Sequence, residues 1–328
     1  MLTEKANAIC LLEVLKEYSD AEHILPMREI IAKMQSLYGI KIDRRTVYGA
    51  VALLIELGYD VSIYEDNGVG YYLRSRELEQ SEVLLLTDAV YSFPFIPAKQ
   101  TEQLVQKLQK ALSIHQRKRY RYLTIARQDR KTDNRQVFWN IEQLDEAIEQ
   151  KKKVRLGYLH YGLDKKQHET KTYTLSPYEM VYMNERYYLV CVPDHAPSTR
   201  LYRIDRMRDI QLLDEPRSET AAVRQEAQNA VYAYVGVPER IVMYCDHTIL
   251  DDVIDRFGTD IQLRERDANT FAVSFTAPPR GVKFWALQYL PYVEVVEPAW
   301  LREEVIESLM QNRYLLGDDQ FTGSPVHR

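Results

Sequence analysis

Cysteine is scarce in this chain, with three among 328 residues, Cys10, Cys191 and Cys245, each embedded in an apolar run. An odd, widely spaced set supports neither a disulfide framework nor a zinc cluster, so all three are expected as reduced core residues. Long hydrophobic runs are missing too. No stretch approaches the roughly 20 apolar residues of a membrane span, and the first residues lack the basic-then-apolar pattern of a secretion signal. A cytosolic (cytoplasmic) protein without a membrane partner is expected. Phenylalanine is sparse beside tyrosine, 8 against 24. That bias favours places where an aromatic plane must also hydrogen-bond, stacking surfaces among them.

Signatures of catalysis are also absent. The seven histidines are scattered, with no His-Glu-x-x-His helix, no Gly-x-Ser-x-Gly elbow and no glycine-rich phosphate loop ending in Lys-Ser/Thr. The abundance of Arg and Tyr would suit a tyrosine recombinase, but no histidine is followed by arginine at the required spacing. Asp251 and Asp252 fall at a predicted helix start, where the helix dipole accounts for paired acids without chemistry. The chain is therefore expected not to be an enzyme and to need no metal or cofactor.

What is present is length, which implies two to three domains, and an uneven charge. Net charge is −5, which argues against a generic polyanion binder. By segment, basic residues number eight against eleven acidic ones in 1–74, eleven against three in 99–135, twelve against seven in 151–210, and eleven against nineteen in 211–328. The middle of the chain is basic, and the last third would repel a polyanion.

Periodicity predicts an α+β multidomain protein. Ile9, Leu12 and Leu15 have helical spacing, as do Ile30, Ile31, Met34 and Leu37 after Pro26. Asp43 is a good N-cap for a third helix through Leu57, with Val47, Val51, Leu54 and Leu57 as its inner stripe and Gly58 as its stop. Residues 59–64, a turn at 65–68 and residues 70–73 read as a two-stranded hairpin. Three helices and a hairpin make a winged helix-turn-helix over 1–74. The start of its third helix would enter the DNA major groove. Arg44, Arg45 and Tyr48 would reach base edges and phosphates there, and Thr46 would donate to a phosphate near the helix N-terminus. Simple solvation of these arginines is the competing reading.

A helical linker spans 75–136, with helices near 79–93 and 98–113 separated by Pro94 and Pro97. Its end, 115–135, is basic and aromatic together: Arg117, Lys118, Arg119, Tyr120, Arg121, Tyr122, Arg127, Arg130, Lys131 and Arg135. A third segment, 137–215, holds a helix around Ile141, Leu144, Ala147 and Ile148. Strands follow at 154–161, 171–183, 186–192 and 200–213. A linker covers 216–235. Residues 236–312 then spell βαββαβ and a final helix, the ferredoxin-like order, and 313–328 read as a flexible tail.

The most telling feature is a pair of segments, Glu185-Arg186-Tyr187-Tyr188-Leu189-Val190-Cys191 and Arg200-Leu201-Tyr202-Arg203-Ile204-Asp205-Arg206-Met207. The first reads as a buried strand. The second reads as a half-exposed strand that carries three arginines in seven positions, which suggests an anion site. Together with Ser176-Pro177-Tyr178 they resemble the signature of the WYL domain, a ligand-sensing module of bacterial transcription regulators, with Tyr187 where the family usually has Trp. Asp43-Arg44-Arg45-Thr46-Val47-Tyr48 and Gly70-Tyr71-Tyr72-Leu73 resemble the DNA-binding domain that usually precedes it. Residues 292–298 and 301–305 resemble the extension that often follows it. Gly49 and Ala50 depart from the Arg-Asp that many relatives carry after this Tyr, which removes a phosphate-binding cation.

The resemblance implies an Sm-like β-barrel at 137–215, a homodimer, double-stranded DNA as a partner and a nucleic-acid-derived or nucleotide-like effector, an oligonucleotide or a cyclic nucleotide. The effector site would comprise Arg200, Arg203 and Arg206 on phosphate and Tyr158, Tyr187 or Tyr188 stacked on bases. Strand alternation puts Arg200, Tyr202 and Arg206 on one face and Arg203 with Asp205 on the other, unless a bulge intervenes. Asp205 is also placed to pair with Arg203, or with Arg206 if the strand bends. An alternative function is a non-transcriptional accessory protein of defence or repair that binds RNA or single-stranded DNA.

Overall fold

The computed structural model describes residues 4–118, 131–196, 198–218, 234 and 236–312, and they divide into two compact units, 1–135 and 136–328. The chain is mixed α+β, with helices and three sheets. The linker and tail expected at 216–235 and 313–328, and most of the basic stretch, fall largely outside the described residues.

In the first unit, helices α1 (Glu4–Tyr18), α2 (Met27–Tyr38) and α3 (Arg44–Glu56) pack around Leu11, Leu15, Ile30, Met34, Val47, Val51 and Leu54, all buried. Asp43 caps α3 as its sequence predicts, its Oδ1 accepting from the Thr46 amide at 2.8 Å. Leu57 does not join the inner stripe. It lies past the last helical turn at 65% exposure, because Gly58 takes φ +90° there and ends the helix. Strands β1 (Val61–Ser62) and β2 (Tyr72–Leu73) form the expected hairpin, though a one-turn helix, α4 (Tyr64–Asn67), replaces the simple turn. Asn67 drives this by donating to the carbonyls of Ile63 and Gly70 and accepting from the Val69 and Gly70 amides. Gly70 is required by close approach, since a Cβ there would lie 2.2 Å from the Leu25 carbonyl oxygen. The linker helices α5 (Gln80–Ser92), α6 (Ala98–Gln109) and the short α7 (Ile114–Lys118) complete this unit.

The second unit opens with α8 (Val137–Glu149), followed by β3 (Lys152–Tyr161), β4 (Gln167–Met183), β5 (Arg186–Pro193), β6 (Arg200–Arg203) and β7 (Met207–Pro216). These strands form one antiparallel sheet in the order β6-β5-β4-β3-β7. Leu144 and Ala147 of α8 bury against Val154, Leu156, Leu175, Leu189, Cys191, Ile204 and Met207. Two expectations fail here. The strand predicted over 200–213 is broken by a 3-10 turn at Ile204–Arg206. Among the described residues no ladder joins β6 to β7, so the sheet is open and not a closed barrel.

Beyond it lie β8 (Glu239–Asp246), β9 (Gln262–Glu265), β10 (Thr270–Ala277) and β11 (Val293–Glu297) with helices Leu250–Phe257, Pro279–Gln288 and Ala299–Met310. The chain order βαββαβ is the expected one. The sheet runs β11-β8-β10-β9, every neighbour antiparallel, over a core centred on Trp285. Cys191 and Cys245 are buried, and burial pushes both thiols up, that of Cys245 to about 12. No helix among the described residues is long and apolar enough to cross a membrane.

Candidate functional site

Helix α3 presents its first turn to solvent. Arg44, Arg45 and Tyr48 are exposed, since Val47, Ala50, Val51 and Leu54 take the buried stripe. The arginines stand beside free backbone N–H groups at a helix N-terminus, where anions are favoured. Thr46 is differently employed. Its hydroxyl donates to Asp43 Oδ1 at 2.7 Å, so its proton is committed to the cap. The amide and hydroxyl of Thr46 hold the Asp43 carboxyl below the usual carboxylate range. Tyr48 shares a side-chain hydrogen bond with Tyr71, the residue before β2, and burial first, with Tyr48 second, pushes the Tyr71 hydroxyl to about 12. Helix and hairpin are thereby tied. The hairpin itself offers no unpaired cation among the described residues: Arg74 bridges Asp60 and Asp66.

The second cluster lies in the five-stranded sheet, and the 3-10 turn builds it. Ile204 and Met207 anchor the turn in the α8 core. From α8, the buried Asn140 donates its Nδ2 to the Met207 carbonyl at 2.7 Å and to that of Ile204 at 3.3 Å. Turning the chain here carries Asp205 inward to 1% exposure. Arg203 grips it with two bonds, Nε to Oδ1 at 3.0 Å and Nη2 to Oδ2 at 2.6 Å. Burial works against the Arg203 charge, but the Asp205 bonds and charge outweigh it and raise its pKa. Tyr188 lies opposite Arg203 in the β5–β6 register, and alternation along β5 puts Arg186 on the same face as Tyr188.

Arg186 is the residue that the sequence reading left out. Burial, then the neighbouring Arg203, lower its pKa. Arg186 Nη1 and Arg206 Nε are both buried with no hydrogen-bond partner among the described residues. An orphaned buried donor costs about 1–3 kcal/mol, more when charged. Arg186, Arg203 and Arg206 all lie near enough to Tyr188 to act on its hydroxyl, as does Asp205, and two of the three arginines carry unmet donors. Arg206 also stands 5.8 Å over the Tyr161 ring, within cation–π range. This group suits an anion that can accept several N–H bonds, phosphate above all.

The other expected effector residues are distributed differently. Tyr158 is buried in the α8 core, and its hydroxyl accepts from the Arg203 amide at 3.2 Å, so it supports the turn. Its ring makes edge contacts with Tyr202 and Tyr173, centroids 5.1 and 6.1 Å away. Tyr187 packs against that same core on the opposite face of β5 from Tyr188. Arg200 is exposed at the start of β6, opposite Cys191. The expectation that Arg200 pairs with Arg206 on one face, leaving Arg203 aside, is therefore corrected. A regular strand would do that, but the 3-10 turn breaks the strand after Arg203, which bonds Asp205, and Arg206 stands over Tyr161. Arg186 was legible as an alternate neighbour of Tyr188, and Asn140 as a polar residue in the apolar stripe of its helix.

Of the basic stretch, residues 119–130 lie outside the description, including Tyr120, Arg121, Tyr122, Arg127 and Arg130. Arg117 is structurally engaged, with both Nη atoms on the Glu17 carboxylate at 2.8 and 2.7 Å. Lys131 Nζ donates to the Phe93 carbonyl at 2.9 Å, and burial pulls its pKa down to about 8.

A family model described as the WYL domain matches residues 140–212, and one described as the WCX domain matches residues 238–311. No curated protein matches the chain. Among solved structures, the chain is similar to proteasome accessory factor B/C (PafBC) of Arthrobacter aurescens. The identity is 14% over 95% of this chain and 49% of that one, with a TM-score of 0.27. It is also similar to a CRISPR Cas-related protein, at 13% identity over 72% of this chain and 73% of that one, with a TM-score of 0.33. The chain spans about half the length of the PafBC chain.

Proposed function

This is a WYL-domain protein of the regulator family in which a WCX domain follows, and from that premise we propose that it is a cytoplasmic DNA-binding transcription regulator switched by a nucleotide-like or oligonucleotide effector. The observation that carries the proposal is the arginine group of the WYL domain, in which Arg186 Nη1 and Arg206 Nε are buried without partners beside the Arg203–Asp205 pair. Phosphate oxygens would satisfy those donors, and Tyr161 and Tyr188 at its edge would stack or hydrogen-bond on a base. In this reading residues 1–74 are a winged helix-turn-helix, the sheet of 152–216 is an opened relative of the Sm-like barrel, and 236–312 are ferredoxin-like.

Arg44, Arg45 and Tyr48 then read DNA from α3, with Thr46 fixing the helix start through Asp43. The acidic hairpin adds no phosphate contact, and Gly49 removes one, so each DNA-binding domain binds weakly and a homodimer supplies the affinity. Effector binding shifts how the two DNA-binding domains are placed, which couples the sites. The protein acts as a binder and not as an enzyme.

Enrichment of genomic fragments on the purified protein tests this reading. A short inverted repeat, bound as duplex, is expected. Tight binding of unrelated single strands with no enriched duplex would instead identify an accessory protein of defence or repair, and metal-dependent turnover of nucleic acid would identify an enzyme.

A further inference from the structure

The first unit carries a cleft that the proposed function does not use. A cleft of ≈ 880 Å³ opens between α1, the end of β2 and helix α6. Its volume falls in the range of small-molecule pockets, about 300–1,000 Å³. Leu73, Leu78, Leu104, Leu108 and Ala111 give it an apolar wall. The charges around that wall do not balance. Lys16, Arg76, Lys107, Lys110 and Arg117 line the cleft against three carboxylates, Glu13, Glu17 and Glu77.

The pairing inside this group sharpens the imbalance. Glu17 is taken by Arg117, and Glu13 approaches Lys16 at 3.8 Å. Among the described residues Arg76 bonds carbonyl oxygens, those of Lys16, Ser19 and Ala111, at 2.9, 2.7 and 3.1 Å. Those three bonds use three of the five N–H groups of a guanidinium. Arg76 bonds no carboxylate among the described residues, and burial first, then the neighbouring Arg117, lower its pKa against the pull of Asp20, Glu17 and Glu79. Lys107 and Lys110, both exposed, add two positive charges at the C-terminal end of α6.

An apolar wall beside a surplus of cations fits one kind of occupant. We propose that this cleft binds an amphipathic carboxylate, its hydrocarbon chain against Leu73, Leu78, Leu104 and Leu108 and its acid group toward Arg76, Lys107 and Lys110. Such a ligand would also fasten helix α6 to α1, since it touches both.

Titration of the full-length protein with 11-(dansylamino)undecanoate, a fluorescent amphipathic carboxylate, tests the site. Saturable binding of one probe per chain is expected, displaced by dodecanoate and at least tenfold less well by dodecanol. Charge reversal of the exposed lysines, Lys107→Glu with Lys110→Glu, should weaken it by about tenfold. Leu104→Trp should block it by filling the cleft, whereas Arg206→Ala, in the other unit, should leave it unchanged. Absence of saturable binding, equal affinity for carboxylate and alcohol, or indifference to both cleft variants would overturn the assignment. Loss of binding in Arg206→Ala would place the probe at the arginine group and overturn it equally.

Discussion

Replacing Asp205 with alanine gives the sharpest test of how the arginine group is held together. Asp205 is 1% exposed and the Arg203 side chain 19%, so removal of the carboxylate leaves a buried cation with little water to turn to. Breaking a buried pair from one side costs about 3–5 kcal/mol. The residual exposure of Arg203 argues for the lower end, about 3 kcal/mol. Hydrogen exchange of the β5 and β6 amides reads that loss locally, and 3 kcal/mol corresponds to about a hundredfold faster exchange. The double variant Arg203→Met, Asp205→Leu removes both charges and should recover most of the protection, because apolar replacement of a buried pair is often neutral. If Asp205→Ala speeds exchange by less than about fivefold, the pair does not hold the turn, and Arg203 is then a free cation of the site.

Other perturbations have equally definite outcomes. Asn140→Ala strips two hydrogen bonds from the carbonyls of Ile204 and Met207. It should cost about 1–3 kcal/mol in denaturant titrations and should weaken oligonucleotide binding as the turn loosens. Gly49 has open space where a Cβ would sit, so Gly49→Ala should stabilise by about 0.5–1 kcal/mol. Gly49→Arg should steepen the salt dependence of duplex binding by about one counterion. The fold holds the Lys131 pKa at about 8 against an ordinary 10.5. Between those values the unfolded chain keeps a proton that the native state has released, so stability rises with pH from about 8 to 10.5. Thermal unfolding across that window should show the rise in the wild type and its loss in Lys131→Met.

Where local signals were strong, the sequence was a good guide. Asp43 and the stripe Val47, Val51 and Leu54 placed α3, and the βαββαβ rhythm of 239–297 was readable from apolar period and turn residues. The arginine-rich segment stood out in the sequence, but its geometry did not. Whether 200–213 runs as one strand or turns at 204 depends on Asn140, some 64 residues away, and on burial of Ile204 and Met207 against α8. No pattern within the segment encodes that. Tyr187 and Tyr188 are likewise indistinguishable by residue type. Their opposite faces follow from the register of β5 with β4 and β6, a tertiary fact. Arg117 shows the same limit: in a run of cations it reads as solvated, yet Glu17, a hundred positions earlier, claims it.

The central claim is that anion binding at Arg186, Arg203 and Arg206 is coupled to duplex binding at α3. Anisotropy of an enriched duplex, with and without a saturating short single-stranded oligonucleotide, measures that coupling directly. The wild type should change its duplex affinity at least fivefold when the oligonucleotide is present. The variant Arg186→Ala, Arg206→Ala, which removes both unpartnered donors together with the Arg206–Tyr161 contact and leaves the Arg203–Asp205 pair in place, should show no change. An unaltered affinity in the wild type, or the same shift in the variant, would contradict the account.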